Sequence, residues 1–230
     1  MATFDAEYIK ELEEYLKEPS TEPKKQEVLL VIESDTPIEK RIFSKQYLLY
    51  LVVDKSLSMR RNGIEDVVKK ELEDVRNVIE MSEEYRFGEF QTAITIFGST
   101  LDMHLFRYGL FSDISYEANE TSTRLYDAVI ESCKRMEAQY DRLEENYAVR
   151  GTMLIFTDGE ENSSQHTLQD LRKALRNLHW NDEKNFKRNI RFIVAAFKNV
   201  DLIQLGIDFN TEPIIIDNCK KLIRILCLYQ

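Results

Sequence analysis

Cysteine is scarce in this chain. The three cysteines, Cys133, Cys219 and Cys227, are odd in number, and no two of them form a Cys-x-x-Cys pair. A disulfide framework or a thiolate metal site requires cysteines in paired arrangements, so the sequence argues against both. We expect three reduced thiols that are buried as small apolar side chains.

Long apolar runs are also missing. No stretch approaches the roughly 20 consecutive apolar residues that a transmembrane helix requires. Residues 1–7 contain neither a basic region nor the apolar core of a signal peptide. We therefore expect a cytoplasmic protein that has no membrane partner.

An excess of positive charge is missing as well. The chain of 230 residues has 31 lysines and arginines against 41 aspartates and glutamates, which gives a formal net charge of −10. Binding to the phosphate backbone of nucleic acids requires a basic surface, so we expect no nucleic-acid partner. This charge favours attraction to cations or to basic partners.

The N-terminal segment differs from the rest of the chain. Apolar residues at helical spacing predict a helix over residues 4–17, and the two prolines in residues 18–23 predict a linker after it. We predict a helix and linker extension over residues 1–45 and an α/β domain over residues 46–230. The extension either packs on that domain or docks to a larger assembly, and the sequence leaves both open.

Apolar strands alternate with amphipathic helices from residue 47 onward. The continuous apolar run at 47–53 predicts a strand that is covered on both faces. Further strands are predicted at 93–97, 103–108, 153–156, 190–196 and 213–216. Helices are predicted at 64–79, 125–140 and 167–178, and residues 220–229 form either a helix or a strand. This alternation predicts a doubly wound, mostly parallel, Rossmann-like sheet with helices on both faces.

Oxygen-bearing side chains stand on three of the predicted loops. Asp54, Ser56 and Ser58 directly follow the first strand. Thr123 stands just before a predicted helix, and Asp158 directly follows a later strand. Ligands bind at the carboxyl edge of such sheets, where we expect these loops to meet. Carboxylates and hydroxyls are hard ligands, so the sequence predicts a Mg²⁺ site.

These motifs resemble those of the von Willebrand factor A domain family, in particular its stand-alone bacterial and phage members. The matching segments are Asp-x-Ser-x-Ser at 54–58, Ser-Thr-Arg-Leu-Tyr-Asp-Ala-Val at 122–129 and Ile-Phe-Thr-Asp-Gly-Glu-Glu-Asn at 155–162. The resemblance covers residues 45–217. It implies a metal-ion-dependent adhesion site that binds Mg²⁺, with Mn²⁺ as an alternative.

The resemblance also implies a role for each residue of the site. The hydroxyls of Ser56 and Ser58 would bind the metal directly, and Thr123 would bind it directly or through water. Asp54 and Asp158 would hold the waters and the hydroxyls. A Glu or Asp of a partner protein would then complete the metal shell. The chain is thus expected to be an adaptor or assembly factor and not an enzyme, with an AAA-type ATPase as a partner by analogy only.

Two departures from the family pattern concern glycine. Leu57 stands where family members usually have glycine, and Thr121 stands where they often have it. Glycine eases a tight turn, so Leu57 either strains the loop or packs against a neighbour or the partner. We expect the second. If Leu57 prevented metal binding, the chain would be a scaffold whose Asp54, Ser56 and Ser58 merely cap turns and helices.

A metal-dependent hydrolase is a second alternative. Nucleophilic aspartate enzymes usually place a second carboxylate where Ser56 stands, and the sequence has no Gly-x-Ser-x-Gly elbow. His166 and His179 are expected to be surface or packing residues. Several other charged residues are expected to be solvated and without a role in the site. They are Glu160, Glu161, Lys187, Arg188 and Arg191.

Overall fold

The computed structural model describes residues 45–81, 89–108, 115–181, 186–196 and 214–215. The predicted N-terminal helix, the linker after it and the closing stretch 220–229 lie outside the described residues. The division of the chain at residues 45 and 46 therefore stays a prediction. None of the helices that the structure describes combines the length and the apolar character that a bilayer span requires.

The described residues form eight strands and four helices. The strands are β1 (Lys45–Asp54), β2 (Phe90–Phe97), β3 (Leu101–Tyr108), β4 (Ala148–Thr157), β5 (Trp180–Asn181), β6 (Phe186–Lys187), β7 (Ile190–Ala196) and β8 (Ile214–Ile215). The helices are α1 (Leu57–Arg61), α2 (Glu65–Met81), α3 (Leu125–Glu144) and α4 (Leu168–His179). Six strands form one sheet in the order β3-β2-β1-β4-β7-β8. Only the edge pair β2–β3 of this sheet is antiparallel, which confirms the predicted mostly parallel fold.

Strand β1 lies in the middle of the sheet and is covered on both faces. Leu48, Tyr50 and Val52 belong to the apolar core that includes α3 and α4. The residues between them, Leu49, Leu51 and Val53, belong to the core that includes α1 and α2. Successive side chains of a strand point to opposite faces, so a strand between two helical layers has to be apolar throughout. This arrangement explains the uninterrupted apolar run.

The pairing of β1 with β4 determines where two of the three oxygen-bearing loops leave the sheet. The two strands are parallel neighbours, and Val53 of β1 is in register with Phe156 of β4. Asp54 and Asp158 therefore emerge side by side at the carboxyl edge. Helix α1 follows β1 almost at once, although the sequence predicted only a turn there.

Arg188 contradicts the prediction of a solvated basic group. Its side chain is 1% exposed and donates two hydrogen bonds of 2.7 Å to the carboxylate of Asp141 on α3. It also donates to the carbonyl oxygen of Asn177 at 2.7 Å and lies 3.1 Å from the carboxylate of Glu137. A buried arginine is tolerated only when it is paired in this way. Its carboxylate partners come from a distant part of the chain, so no local pattern indicates the burial.

Candidate metal centre

Asp54 is the most buried carboxylate of the predicted site. Its side chain is inaccessible to solvent and accepts hydrogen bonds from the N–H of Ser56 at 2.8 Å and from the hydroxyl of Thr157 at 2.9 Å. Its backbone carbonyl accepts a 2.6 Å hydrogen bond from the hydroxyl of Tyr116. Three separate chain segments therefore fix the position of this aspartate.

The charge of Asp54 is poorly accommodated by the protein alone. Burial raises the pKa of Asp54 to about 7, and the negative charge of Asp158 acts in the same direction. The hydrogen bonds from Ser56 and Thr157 oppose this rise. Two carboxylates that repel one another at a buried edge favour the approach of a cation, which would offset both charges.

The first loop brings two hydroxyls together. The Oγ atoms of Ser56 and Ser58 are 2.9 Å apart. Leu57, between them, is the first residue of α1, so its backbone is right-handed and carries no left-handed strain. Its half-buried side chain lines the cavity of this site. The structure thus shows no left-handed strain where the family usually has glycine, and the expectation that Leu57 packs against a neighbour or the partner stays a prediction.

The second loop is joined to the first by backbone pairing. Glu120 forms an isolated parallel bridge with Ser56, and the N–H of Leu57 donates to the carbonyl of Glu120 at 2.7 Å. The carboxylate of Glu120 lies 2.8 Å from Nζ of Lys55 and accepts hydrogen bonds from the N–H and the hydroxyl of Thr100. Glu120 therefore holds three segments together, a role that the sequence analysis missed.

Gly98 makes the position of Glu120 possible. A Cβ atom on Gly98 would lie 2.7 Å from the Cβ of Glu120 and 2.8 Å from its Oε2. Contacts this short do not occur between real side chains, so the close approach of the two segments requires glycine here.

The third loop holds Thr123 in place. The side-chain oxygen of Asn162 accepts a 2.8 Å hydrogen bond from the N–H of Thr123, and the N–H of Asn162 donates to the carbonyl of Thr123 at 3.2 Å. Thr123 is 1% exposed. Asp158, on the same loop, accepts hydrogen bonds from Asn62 at 3.4 Å and from the N–H of Glu160 at 3.2 Å.

The three loops surround a cavity of about 200 Å³ at the carboxyl edge of the sheet. The hydroxyl-bearing residues Ser56, Ser58 and Thr123 line it, whereas Asp54 and Asp158 stand outside its lining. The described residues contain no group of three or more His, Cys, Asp or Glu side chains that suits a metal ion. The predicted oxygen donors at this edge are three hydroxyls on the cavity and two carboxylates outside its lining, a hard set that fits Mg²⁺ or Mn²⁺. All five predicted residues are brought together, and their role as metal ligands stays a proposal.

Glu161 is not the solvated charge that the sequence predicted. Its carboxylate accepts hydrogen bonds from the N–H groups of Ser163 and Ser164 and from the N–H of Tyr126 in the first turn of α3. A carboxylate at a helix N-terminus satisfies free N–H groups and interacts favourably with the helix dipole. Because the helix begins 36 residues earlier in the chain, no local motif could have revealed this contact.

Asp127 also holds the third loop in place through hydrogen bonds. It is 2% exposed and accepts hydrogen bonds from the N–H groups of Gln165 and His166 and from the guanidinium of Arg124. The ring nitrogen Nδ1 of His166 lies 2.7 Å from its Oδ1. Burial opposes the charge, but these donors outweigh burial and lower the pKa of Asp127 to about 2.

Replacing Leu57 with glycine should destabilise the protein. Leu57→Gly removes cavity packing and places glycine in the first turn of α1, which together should cost about 1–2 kcal/mol and lower the melting temperature by about 3–6 °C. Thermal melting followed by circular dichroism measures this change. Thr121→Gly, at the exposed second departure from the family pattern, is the matched control and should shift the melting temperature less. A higher melting temperature for Leu57→Gly would show that the leucine strains the loop.

Solved structures resemble this chain in fold, whereas no protein-family model and no curated protein matches it in sequence. A von Willebrand factor type A protein from Catenulispora acidiphila matches with a TM-score of 0.56 and 12% identity over 80% of this chain and 42% of its own. The ArnB paralog VWA2 from Sulfolobus acidocaldarius matches with a TM-score of 0.50 and 11% identity over 79% and 44%. Proximal thread matrix protein 1 of the mussel byssus, with a zinc-occupied MIDAS motif, matches with a TM-score of 0.50 and 10% identity over 81% and 47%.

The chain spans less than half the length of each of these three proteins. At such low identities the likeness shows the architecture alone. The chain has the fold of a von Willebrand factor A domain.

Proposed function

We propose that this chain is a protein-interaction module that uses a divalent cation to recognise an acidic side chain of its partner. The observation that carries this proposal is the set of hydroxyls on the cavity. Ser56, Ser58 and Thr123 come from two separate loops and line the same space, with the carboxylates of Asp54 and Asp158 nearby. Such a set provides oxygen ligands and few direct negative charges.

The residues present fit a bound cation. Ser56, Ser58 and Thr123 would hold it, and Asp54 and Asp158 would support these ligands and offset its charge. A cation held mainly by neutral hydroxyls would offer a Lewis-acidic position to a carboxylate from outside. We propose Mg²⁺ as the resident ion and Mn²⁺ as an alternative. The zinc-occupied site of the mussel protein supports divalent binding by this fold.

Recognition and not turnover is the proposed activity. The residues that line the cavity include no histidine or cysteine among those the structure describes, so the serine hydroxyls have no imidazole base beside them. We propose that the protein acts in the cytoplasm as an adaptor or assembly factor. An AAA-type ATPase is a candidate partner on the analogy of bacterial A domains alone.

Capture of the partner should depend on the metal and on Thr123. With the full chain as bait, we expect a native lysate to yield a partner in Mg²⁺ that is released by a chelator and recovered when Mg²⁺ is restored. Thr123→Val keeps the buried shape but removes the hydroxyl, so it should weaken capture by about 10–100-fold. Calorimetric titration with the purified partner measures this loss of affinity.

The matched control is Thr152→Val, which changes a half-buried threonine within β4. It should leave capture unchanged. A partner that is retained equally with chelator, with Mg²⁺ and with Thr123→Val would show that binding uses a surface other than the metal centre.

A further inference from the structure

Two charged side chains at the cavity are not among the five proposed residues of the metal site. Arg61 and Glu160 both line the cavity, and both residues are exposed. Within the described part of the chain, neither side chain forms a hydrogen bond or an ion pair. The cavity therefore presents an unpaired cation and an unpaired anion to whatever enters it.

The neighbouring Arg60, unlike Arg61, is paired. The guanidinium of Arg60 lies 2.6 Å from the carboxylate of Glu65 and 2.9 Å from that of Glu117. These two ion pairs hold Arg60 against neighbouring segments of the domain. Arg61, the next residue in the chain, contributes to the lining of the cavity instead.

Charges of this kind affect which partner binds and in which orientation more than how tightly it binds. A second carboxylate near the entering acidic residue would be attracted to Arg61, whereas a basic residue there would be repelled. Glu160 would attract a basic residue of the partner and repel an acidic one. Attraction of the correct partner and repulsion of the wrong one together produce specificity.

We propose that Arg61 and Glu160 are the specificity-determining residues of this site. The partner segment carries, close to its metal-binding acidic residue, a second acidic residue that contacts Arg61 and a basic residue that contacts Glu160. This inference rests on the proposed function, because it takes the metal-bound carboxylate as given.

A displayed library of random short peptides tests the inference with the full chain as the target. Selection in Mg²⁺, with a parallel selection in chelator, should enrich peptides that combine two acidic residues and one basic residue at fixed spacing. Selection on Arg61→Glu should replace the second acidic residue with a basic one. Selection on Glu160→Lys should replace the basic residue with an acidic one. One synthetic peptide from the wild-type pool should bind Arg61→Gln about 3- to 5-fold more weakly, the scale of an exposed ion pair.

The matched control is Arg60→Gln, which removes an equal charge one residue away. It should leave the selection for the second acidic residue and for the basic residue of the peptide unchanged. Acidic enrichment that depends on Mg²⁺ but is the same in the wild type, Arg61→Glu and Glu160→Lys would overturn this inference and leave the proposed function standing. Absence of any Mg²⁺-dependent acidic enrichment on the wild type would overturn both.

Discussion

Asp54→Asn should strongly weaken divalent-cation binding while leaving the metal-free protein as stable as the wild type or more stable. Asparagine keeps an oxygen that accepts the hydrogen bond from the N–H of Ser56, and its amide N–H can donate to the hydroxyl oxygen of Thr157, which donates to Asp54 in the wild type. It carries no charge. The charge that the substitution removes is buried and is repelled by Asp158. Its loss therefore removes an unfavourable interaction from the metal-free protein. The metal-bound protein, by contrast, loses one of the two carboxylates that offset the charge of the cation. We expect the affinity for Mg²⁺ and Mn²⁺ to fall by about 100-fold in calorimetric titrations.

Asp66→Asn is the control for this experiment. Asp66 is an exposed residue in the first turn of α2, so its change should leave the metal affinity unaltered. If the wild type and Asp54→Asn bound Mn²⁺ with equal affinity, Asp54 would have no part in a metal site. If neither bound the ion, the chain would be a scaffold in which these residues only cap turns.

Asp127→Ala should be the most destabilising of the substitutions considered. It leaves the N–H groups of Gln165 and His166 and the guanidinium of Arg124 without their acceptor, which is itself 2% exposed. Removing one member of a buried charged network costs on the order of 3 kcal/mol, which corresponds to a melting temperature roughly 6–12 °C lower. Denaturant unfolding at neutral pH measures the free energy directly.

The effect of Asp127→Ala on the free energy of unfolding should become smaller in acid. Its pKa is lowered from 3.8 to about 2, so its contribution to stability is complete above the unfolded value and is lost as the pH falls through the folded value. The difference in unfolding free energy between the wild type and Asp127→Ala should therefore shrink between about pH 4 and about pH 2.

Asp102→Ala provides the comparison for Asp127→Ala. Asp102 also stands near a histidine, with 3.4 Å between it and His104, but its side chain is 59% exposed. The loss of such an exposed pair should change the free energy of unfolding by less than about 1 kcal/mol at any pH. A similarly small effect of Asp127→Ala would mean that other contacts hold the third loop.

The framework of the domain was accessible from the sequence because its signals are local. A strand buried on both faces is apolar throughout, as residues 47–53 are, and the helix at 168–179 begins with a Thr167–Asp170 capping box that the structure contains. The five oxygen-bearing residues were accessible for a related reason. They stand immediately after strands or before a helix, and the topology of a parallel sheet brings those positions to one edge.

The supports of the site were not accessible from the sequence, because each joins segments that are far apart in the chain. Asn162 binds the backbone of Thr123 across 39 residues, and Glu161 reaches the N-terminus of α3 across 35. Arg188 looked like one of several surface cations, although its partner Asp141 lies 47 residues away. Charged residues on loops have no periodicity, so only the folded structure shows which of them are satisfied internally.

Position 98 is constrained in evolution by its neighbour Glu120. Any side chain at position 98 would place its Cβ 2.7 Å from the Cβ of Glu120. Shortening Glu120 would not remove this clash, because every residue except glycine keeps a Cβ atom, and it would release Lys55 and remove the acceptor of Thr100. Glycine should therefore be retained at position 98 even in homologues that change position 120. A residue with no side chain thereby limits which sequences can maintain the loops of this site.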